Sequence, residues 1–125
     1  MKYNKIINIG NQKYKVYMTW DNKEIEKGLM YVTKLDSDGG MLLSYEKPDN
    51  YGIWMKNVCM PLDIVWIDKE NTVIEKKTLQ MDIEDPQSTI TYIDKNSKYI
   101  LEVNANTFNG KIGDKVSFSE VVEWK

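Results

Sequence analysis

Alternating apolar and polar residues mark the first part of this chain. Residues 3–9 and 13–20 both alternate, and the turn sequence Gly10-Asn11-Gln12 lies between them. A period of two is typical of strands that bury one face, and a short turn between two such runs indicates a β-hairpin. The chain therefore begins with a predicted hairpin.

A short amphipathic helix is predicted next, over residues 22–30. Asp21 and Glu24 have the spacing of a capping box, and apolar residues follow one turn apart. Gly28 lies inside this segment, where a glycine weakens a helix by about 1 kcal/mol relative to alanine. A glycine is more useful there if another part of the chain packs closely against the backbone.

Short apolar runs separated by turn residues fill the rest of the chain. The strands that they predict span residues 41–45, 53–55, 62–67, 72–79, 99–103 and 115–124. Loops are predicted over residues 36–40, 47–51, 68–71 and, as the longest irregular stretch, 82–88. We therefore predict one domain over residues 1–125. It is β-rich α+β, a compact barrel-like or sandwiched, mostly antiparallel sheet with one short helix near residues 22–30.

The charged residues exclude several classes of function. The 17 basic residues are all lysines, and there is no histidine. Imidazole catalysis, imidazole metal sites and arginine forks are therefore excluded. The net charge of −2 gives no electrostatic reason to expect nucleic acid, and a local patch such as Lys76 and Lys77 is usually just solvated, so we expect no nucleic-acid partner. Asp36 and Asp38 lack the further ligands of a calcium loop and indicate a turn. We expect no metal and no cofactor.

Cys59 is the single cysteine, so it cannot form a disulfide within the chain. We predict that it is buried, as small free cysteines commonly are. Residues 1–10 lack the apolar core of a signal peptide, and no apolar run reaches the length of a membrane span. We expect a soluble cytoplasmic protein without membrane contacts, or a virion protein if a phage encodes it.

Residues 53–68, IWMKNVCMPLDIVWID, form the most informative stretch. Lys56 and Asn57 lie between two aromatic-rich apolar runs, and Asp63 lies near the start of a predicted strand. We expect these three polar residues to sit together, with Glu102 as a fourth. Apolar walls with a few placed polar groups are typical of ligand sites. The candidate binding residues are Gly28, Met30, Trp54, Met55, Lys56, Asn57, Asp63 and Glu102.

Four segments resemble, in order and spacing, the domain of unknown function 192 family of uncharacterised small bacterial, archaeal and phage proteins. The segments are residues 26–30, 40–43, 53–68 and 101–103 followed by 113–114, and the resemblance covers residues 5–120. It implies a fold and a site but no reaction. The family pattern has an arginine shortly after Gly-Leu-Met, and Val32 occupies that region here. Any ion pair that such an arginine makes is therefore absent.

Hypotheses from three classes follow. The leading one is a non-catalytic binding module for a protein partner or small ligand, with a cleft around residues 54–57 and Asp63, gated by residues 28–30. The second is a structural assembly protein, such as a phage virion or capsid component, which would form homo-oligomeric contacts. The third is an enzyme in which Asp63 and Glu102 perform acid–base chemistry. A purely structural alternative for the same polar residues is a buried lysine–acid network that stabilises the sheet.

Overall fold

The structure is a computed structural model that describes residues 2–81 and 89–121. The described elements are β1 Lys5–Ile9, β2 Gln12–Thr19, α1 Asn22–Lys27, β3 Gly39–Asp49, β4 Leu62–Ile67, β5 Val73–Leu79, β6 Ser97–Asn104 and β7 Val116–Ser119. The strands form one sheet in the order β5-β4-β6-β3-β2-β1-β7. Neighbours are antiparallel except β2 and β3, which are parallel. The predicted β-rich α+β class is confirmed.

The start of the chain follows its local sequence signals. β1 and β2 form the predicted hairpin, and the Asp21 side chain caps α1 by accepting a hydrogen bond from the Glu24 backbone N–H. α1 ends at Lys27 rather than at the predicted Met30, because Gly28 leaves the helix with φ 51° and ψ −127°. Only glycine adopts this conformation readily. α1 and the following loop form the long connection that parallel β2 and β3 require.

The sheet curls into a half-barrel, and its two edge strands come together where they start, which gives the predicted barrel-like shape. Thr72, just before β5, forms a β-bridge with Lys115, just before β7. The Val73 N–H donates to the Asp114 carbonyl over 2.9 Å at the same place. Side chains from all seven strands fill the interior, among them Ile7, Val16, Leu42, Val65, Val73, Leu101 and Val116.

A second apolar layer covers the outer face of the central strands. The segment after α1 and the loop before β4 supply it through Leu29, Ile53 and Val58, which pack on Ile64 and Ile100 of the sheet. All six residues of β4 are buried, and so are the first six residues of β3. A polar side chain in these strands is therefore shielded from water, whichever face it lies on.

One loop prediction and one strand prediction near the centre of the chain are wrong. Residues 47–49, predicted as a loop, belong to β3, which continues past a register shift to pair Asp49 with Ser97. Residues 53–55, predicted as a strand, form only the isolated bridge between Ile53 and Thr91. The Ile53 and Met55 side chains pack in the outer apolar layer from a loop, and an apolar run alone does not distinguish this arrangement from a strand.

The prediction for Cys59 is also wrong, because this side chain is exposed. Its neighbour Val58 takes the inward position and is buried. The predicted irregular stretch 82–88 and the last residues of the predicted strand 115–124 lie outside the described residues. No helix in the described ranges is long and apolar enough to cross a membrane.

Candidate functional site

Glu102 is the most unusual polar residue of the sheet. It lies on β6, where its neighbours across the strands are Met41 of β3 and Ile64 of β4. The residue is 3% exposed, and nothing in residues 2–81 or 89–121 hydrogen-bonds its Oε1 atom. Buried polar atoms in folded proteins nearly always have a partner, and one without a partner calls for an explanation such as a ligand.

Glu102 lines a cavity of about 270 Å³ between the sheet and its covering segments. This volume is close to the lower limit of about 300 Å³ for small-molecule sites. Residues of α1 and of the loop before β4 both line the cavity, and the two segments are joined where the Trp54 Nε1–H donates to the Glu26 carbonyl over 3.3 Å. The walls are mainly apolar and carry four titratable groups; the lining residues are Ile25, Glu26, Lys27, Gly28, Leu29, Leu43, Tyr45, Gly52, Ile53, Trp54, Val58, Ile90 and Glu102.

Two of these titratable groups are shifted by burial. Burial raises the pKa of the Glu102 carboxyl from its ordinary value of 4.5 to about 7, because a carboxylate loses its hydration in a low-dielectric site. Burial, and secondarily the nearby Glu102 charge, raises the pKa of the Tyr45 hydroxyl as well. The cavity therefore holds one acid that changes charge near neutral pH, and one hydroxyl that stays protonated.

The Tyr45 ring is held in place by Tyr51. The two rings stack with centroids 3.6 Å apart and planes 9° from parallel. Tyr51 is in turn fixed by its hydroxyl, which donates to the Lys47 carbonyl over 2.6 Å. This wall of the cavity is therefore rigid before any ligand arrives.

Gly28 brings the covering segment close to Glu102. A Cβ atom built on Gly28 would lie 3.3 Å from Glu102 Oε1, a tighter contact than most Cβ atoms make. The close approach to this backbone that the sequence indicated is therefore present, and its partner is the buried carboxyl. A larger residue here would be strained by its φ and would also crowd the acid.

The predicted site residues do not form one group. Lys56 is exposed, with Nζ 5.2 Å from the centroid of the Trp54 ring. Asn57 donates to the Tyr31 hydroxyl over 2.9 Å. Lys56 and Asn57 line a surface depression together with Met30 and Trp54. Of the predicted residues, only Trp54, Gly28 and Glu102 line the cavity, and Trp54 connects the two places.

Met55 and Asp63 lie elsewhere. Met55 is buried in the outer apolar layer. Asp63 pairs with Val103 across β4 and β6, whereas Glu102 pairs with Ile64. Successive strand residues point to opposite faces, so Asp63 and Glu102 lie on opposite sides of the sheet. The expected grouping of Lys56 with Asp63 and Glu102 is therefore wrong.

Asp63 holds the segment that follows β6. Its carboxylate accepts a hydrogen bond from the Thr78 hydroxyl over 2.6 Å and from the backbone N–H groups of Thr107 and Phe108 over 3.0 Å each. Each oxygen of this buried acid thus has at least one donor. The buried lysine–acid network that we considered as a structural alternative is replaced by hydrogen bonds from backbone N–H groups to the Asp63 carboxylate.

The remaining acids of interest do not form a metal site. Asp36 and Asp38 of the predicted turn pair with Lys15, at 3.3 and 3.6 Å. Within the described part of the chain, no group of three or more histidine, cysteine, aspartate or glutamate side chains is placed to hold a metal ion.

Sequence reasoning missed most of the cavity walls. Tyr45, Ile25 and Ile90 come from three segments that are distant in sequence, and their convergence has no local signature. The sequence did contain a signal for Glu102, because it is the only charged residue in the apolar run of residues 100–103. An acid within a strand that reads as fully buried marks an exception to hydrophobic patterning.

Fold and cavity together define a class, a β-rich fold with a partly closed barrel and a cavity lined by a buried carboxyl. The chain belongs to the DUF192 family, described as "Uncharacterized ACR", whose profile matches residues 5–118. This match confirms the resemblance found in the sequence. Among curated proteins, none is significantly similar to the chain.

Two crystal structures share this fold. One is a protein of Sinorhizobium meliloti 1021, whose description proposes a transcription regulator; the TM-score is 0.83, with 25% identity over 94% of this chain and 96% of that chain. The other is a protein of unknown function from Novosphingobium aromaticivorans DSM 12444, with a TM-score of 0.77 and 26% identity over 91% of this chain and 83% of that chain. The architecture is thus common to relatives with low sequence identity.

We predict that Asp63→Ala lowers the free energy of unfolding by about 1–3 kcal/mol. The substitution removes the oxygen that accepts from the backbone N–H groups of Thr107 and Phe108, so both donors lose their acceptor. Urea denaturation measures the change, and Asp94→Ala, at an exposed position, is the matched control. Equal stability of the two variants would contradict the anchoring role.

We predict that Gly28→Ala destabilises the fold by roughly 1–3 kcal/mol, through strain at φ 51° and crowding of Glu102. Gly113→Ala is the control for strain alone, because Gly113 has φ 99° and nothing lies within 4 Å of a Cβ there. A double-mutant cycle with Glu102→Ala isolates the crowding. If Gly28→Ala is equally destabilising with and without Glu102, the close contact has no energetic effect.

We predict that the Glu102 carboxyl makes stability fall as pH rises from about 4.5 to about 7. The unfolded chain releases this proton near pH 4.5, whereas the folded protein retains it until near pH 7, so the stabilisation is complete below the first value and lost above the second. Relative to wild type, Glu102→Gln should therefore gain roughly 3 kcal/mol between these limits. Denaturation across this range measures the gain, and Glu70→Gln, at an exposed position, should show none. A flat difference for Glu102→Gln would contradict the shifted pKa.

Proposed function

We propose that this protein is a non-catalytic binding module whose small ligand enters the cavity and is anchored by Glu102. The observation that carries this proposal is the buried Glu102 side chain, which lines the cavity and whose Oε1 atom has no partner among the described residues. A few fixed polar groups within apolar walls are what small-molecule sites usually contain. The polar group supplies orientation, and the walls supply burial.

Among the described residues, the groups around Glu102 form no catalytic arrangement, and this supports binding rather than turnover. General acid–base catalysis requires groups within hydrogen-bond reach of the reacting atoms. Asp63, the acid expected to work with Glu102, lies on the other face of the sheet with its oxygens occupied. Tyr45 remains protonated at neutral pH, because the pKa of its hydroxyl is raised. One acid and one hydroxyl are enough to orient a ligand.

The position of Glu102 also favours a small ligand over a protein partner. Protein interfaces are built from exposed side chains, whereas Glu102 is 3% exposed. A flat protein surface cannot reach such an atom. The role proposed for the Sinorhizobium protein is not transferred to this chain, since a net charge of −2 gives no electrostatic reason to expect a nucleic-acid partner.

The experiment is a fragment screen followed by protein NMR. We expect bound fragments to shift amide signals of residues 25–29, 43–45 and 52–58, and Glu102→Gln to weaken binding by about tenfold, the effect of losing one charge-assisted hydrogen bond. Lys56→Met is the matched control, because Lys56 lines the surface depression but not the cavity. It should leave affinity unchanged.

Two results would overturn the proposal. The first is a set of fragments that shift signals around Lys56 and Asn57 and lose affinity in Lys56→Met, which would move the site to the surface depression. The second is a screen in which no fragment shifts the cavity signals at millimolar concentration. Retained folding of Glu102→Gln, checked by its amide spectrum, ensures that a loss of binding reflects the carboxyl.

A further inference from the structure

The Glu102 carboxyl is a hydrogen-bond acceptor in the cavity wall, and no described residue donates to its Oε1 atom. An ionised carboxyl can only accept. The strand neighbours of Glu102, Met41 and Ile64, are apolar. Gly28, which lies closest on the covering side, adds no side chain. A ligand that reaches this carboxyl must therefore bring its own N–H or O–H groups.

The charges around the cavity distinguish among such ligands. The titratable or charged groups that line it are Glu26 and Lys27 of α1, Tyr45 of β3 and Glu102 of β6, while the loop before β4 supplies none. With Glu102 ionised, two acids face one lysine, and one negative charge is left over. A buried charge is tolerated when it is paired. A singly charged cation would pair it, a neutral donor would leave it unpaired, and an anion would be repelled.

The walls suit a cation that carries an apolar body. The faces of aromatic rings attract ammonium groups, and both Trp54 and Tyr45 line the cavity. The Trp54 ring already has one ammonium nearby, since Lys56 Nζ lies 5.2 Å from its centroid. Leu29 and Ile53 supply apolar surface for the rest of the ligand.

From these observations we infer that the cavity takes a primary ammonium group on an apolar body, and that the ammonium donates hydrogen bonds to the Glu102 carboxylate. This inference rests on the proposed function, since it names the ligand class of the same cavity.

Proton release should accompany binding of such a ligand. A bound cation favours the ionised carboxyl and lowers its pKa, which in the free protein is about 7. Below that pH the carboxyl must lose its proton before it can bind the cation, so affinity should fall by up to tenfold per pH unit. Above it, affinity should level off while the amine remains protonated.

The test uses matched probes, benzylamine and hexylamine against benzyl alcohol and hexanol, titrated by protein NMR between about pH 5.5 and 8.5, on either side of the Glu102 pKa. We expect the amines to shift cavity signals and to bind about tenfold or more tightly than the alcohols. Glu102→Gln should equalise amine and alcohol and remove the pH dependence. Glu46→Gln, at an exposed position of β3 that does not line the cavity, is the matched control and should change affinity less than about threefold.

Each contrary result has a defined meaning. If alcohols bind as tightly as amines, or if the amines bind more tightly at low pH, the ammonium inference is overturned while the proposed function stands. The same conclusion follows if fragments of another class occupy the cavity and the amines do not. If neither the amines nor any screened fragment occupies the cavity, both the inference and the proposed function fail.

Discussion

Burial of the central strands on both faces is the constraint on which the rest of this structure depends. The barrel interior covers one face, and the layer formed by the segment after α1 and the loop before β4 covers the other. Apolar side chains in β3, β4 and β6 are stabilised on either side, but each polar side chain there loses its water. A carboxyl in this region requires a protein partner, a proton or a ligand.

Asp63 and Glu102 show two outcomes of that requirement. They lie on neighbouring strands but on opposite faces of the sheet. Asp63 receives a hydroxyl and two backbone N–H groups, which join β4 to β5 and to the segment after β6. Glu102 has a cavity beside it instead, and its pKa is raised to about 7. The Asp63 carboxyl holds neighbouring segments together, whereas the Glu102 carboxyl keeps its proton up to about pH 7.

Sequence patterns predicted the features that are formed by residues close together in the chain and missed those formed by distant segments. The first hairpin, the cap at Asp21 and the bounds of β4 rest on local patterns and were predictable. The parallel pairing of β2 with β3 and the walls of the cavity depend on segments that meet only in the fold. Residues 53–55 were wrongly predicted as a strand because an apolar run is equally compatible with a loop that covers the sheet. The predicted grouping of Asp63 with Glu102 is wrong because Asp63 lies beside Val103, and adjacent residues of a strand point to opposite faces of the sheet.

The pairing of β1 with β7 has a consequence for how the chain comes to be folded. These strands are almost the first and last parts of the described sequence, and the Lys5–Glu120 ion pair at 2.6 Å extends their contact. During synthesis, β1 can pair with β2 on one side, but its other edge stays open until β7 has left the ribosome. An unpaired edge invites association with other strands. The interval before β7 arrives is therefore when a nascent chain of this protein is most prone to aggregate.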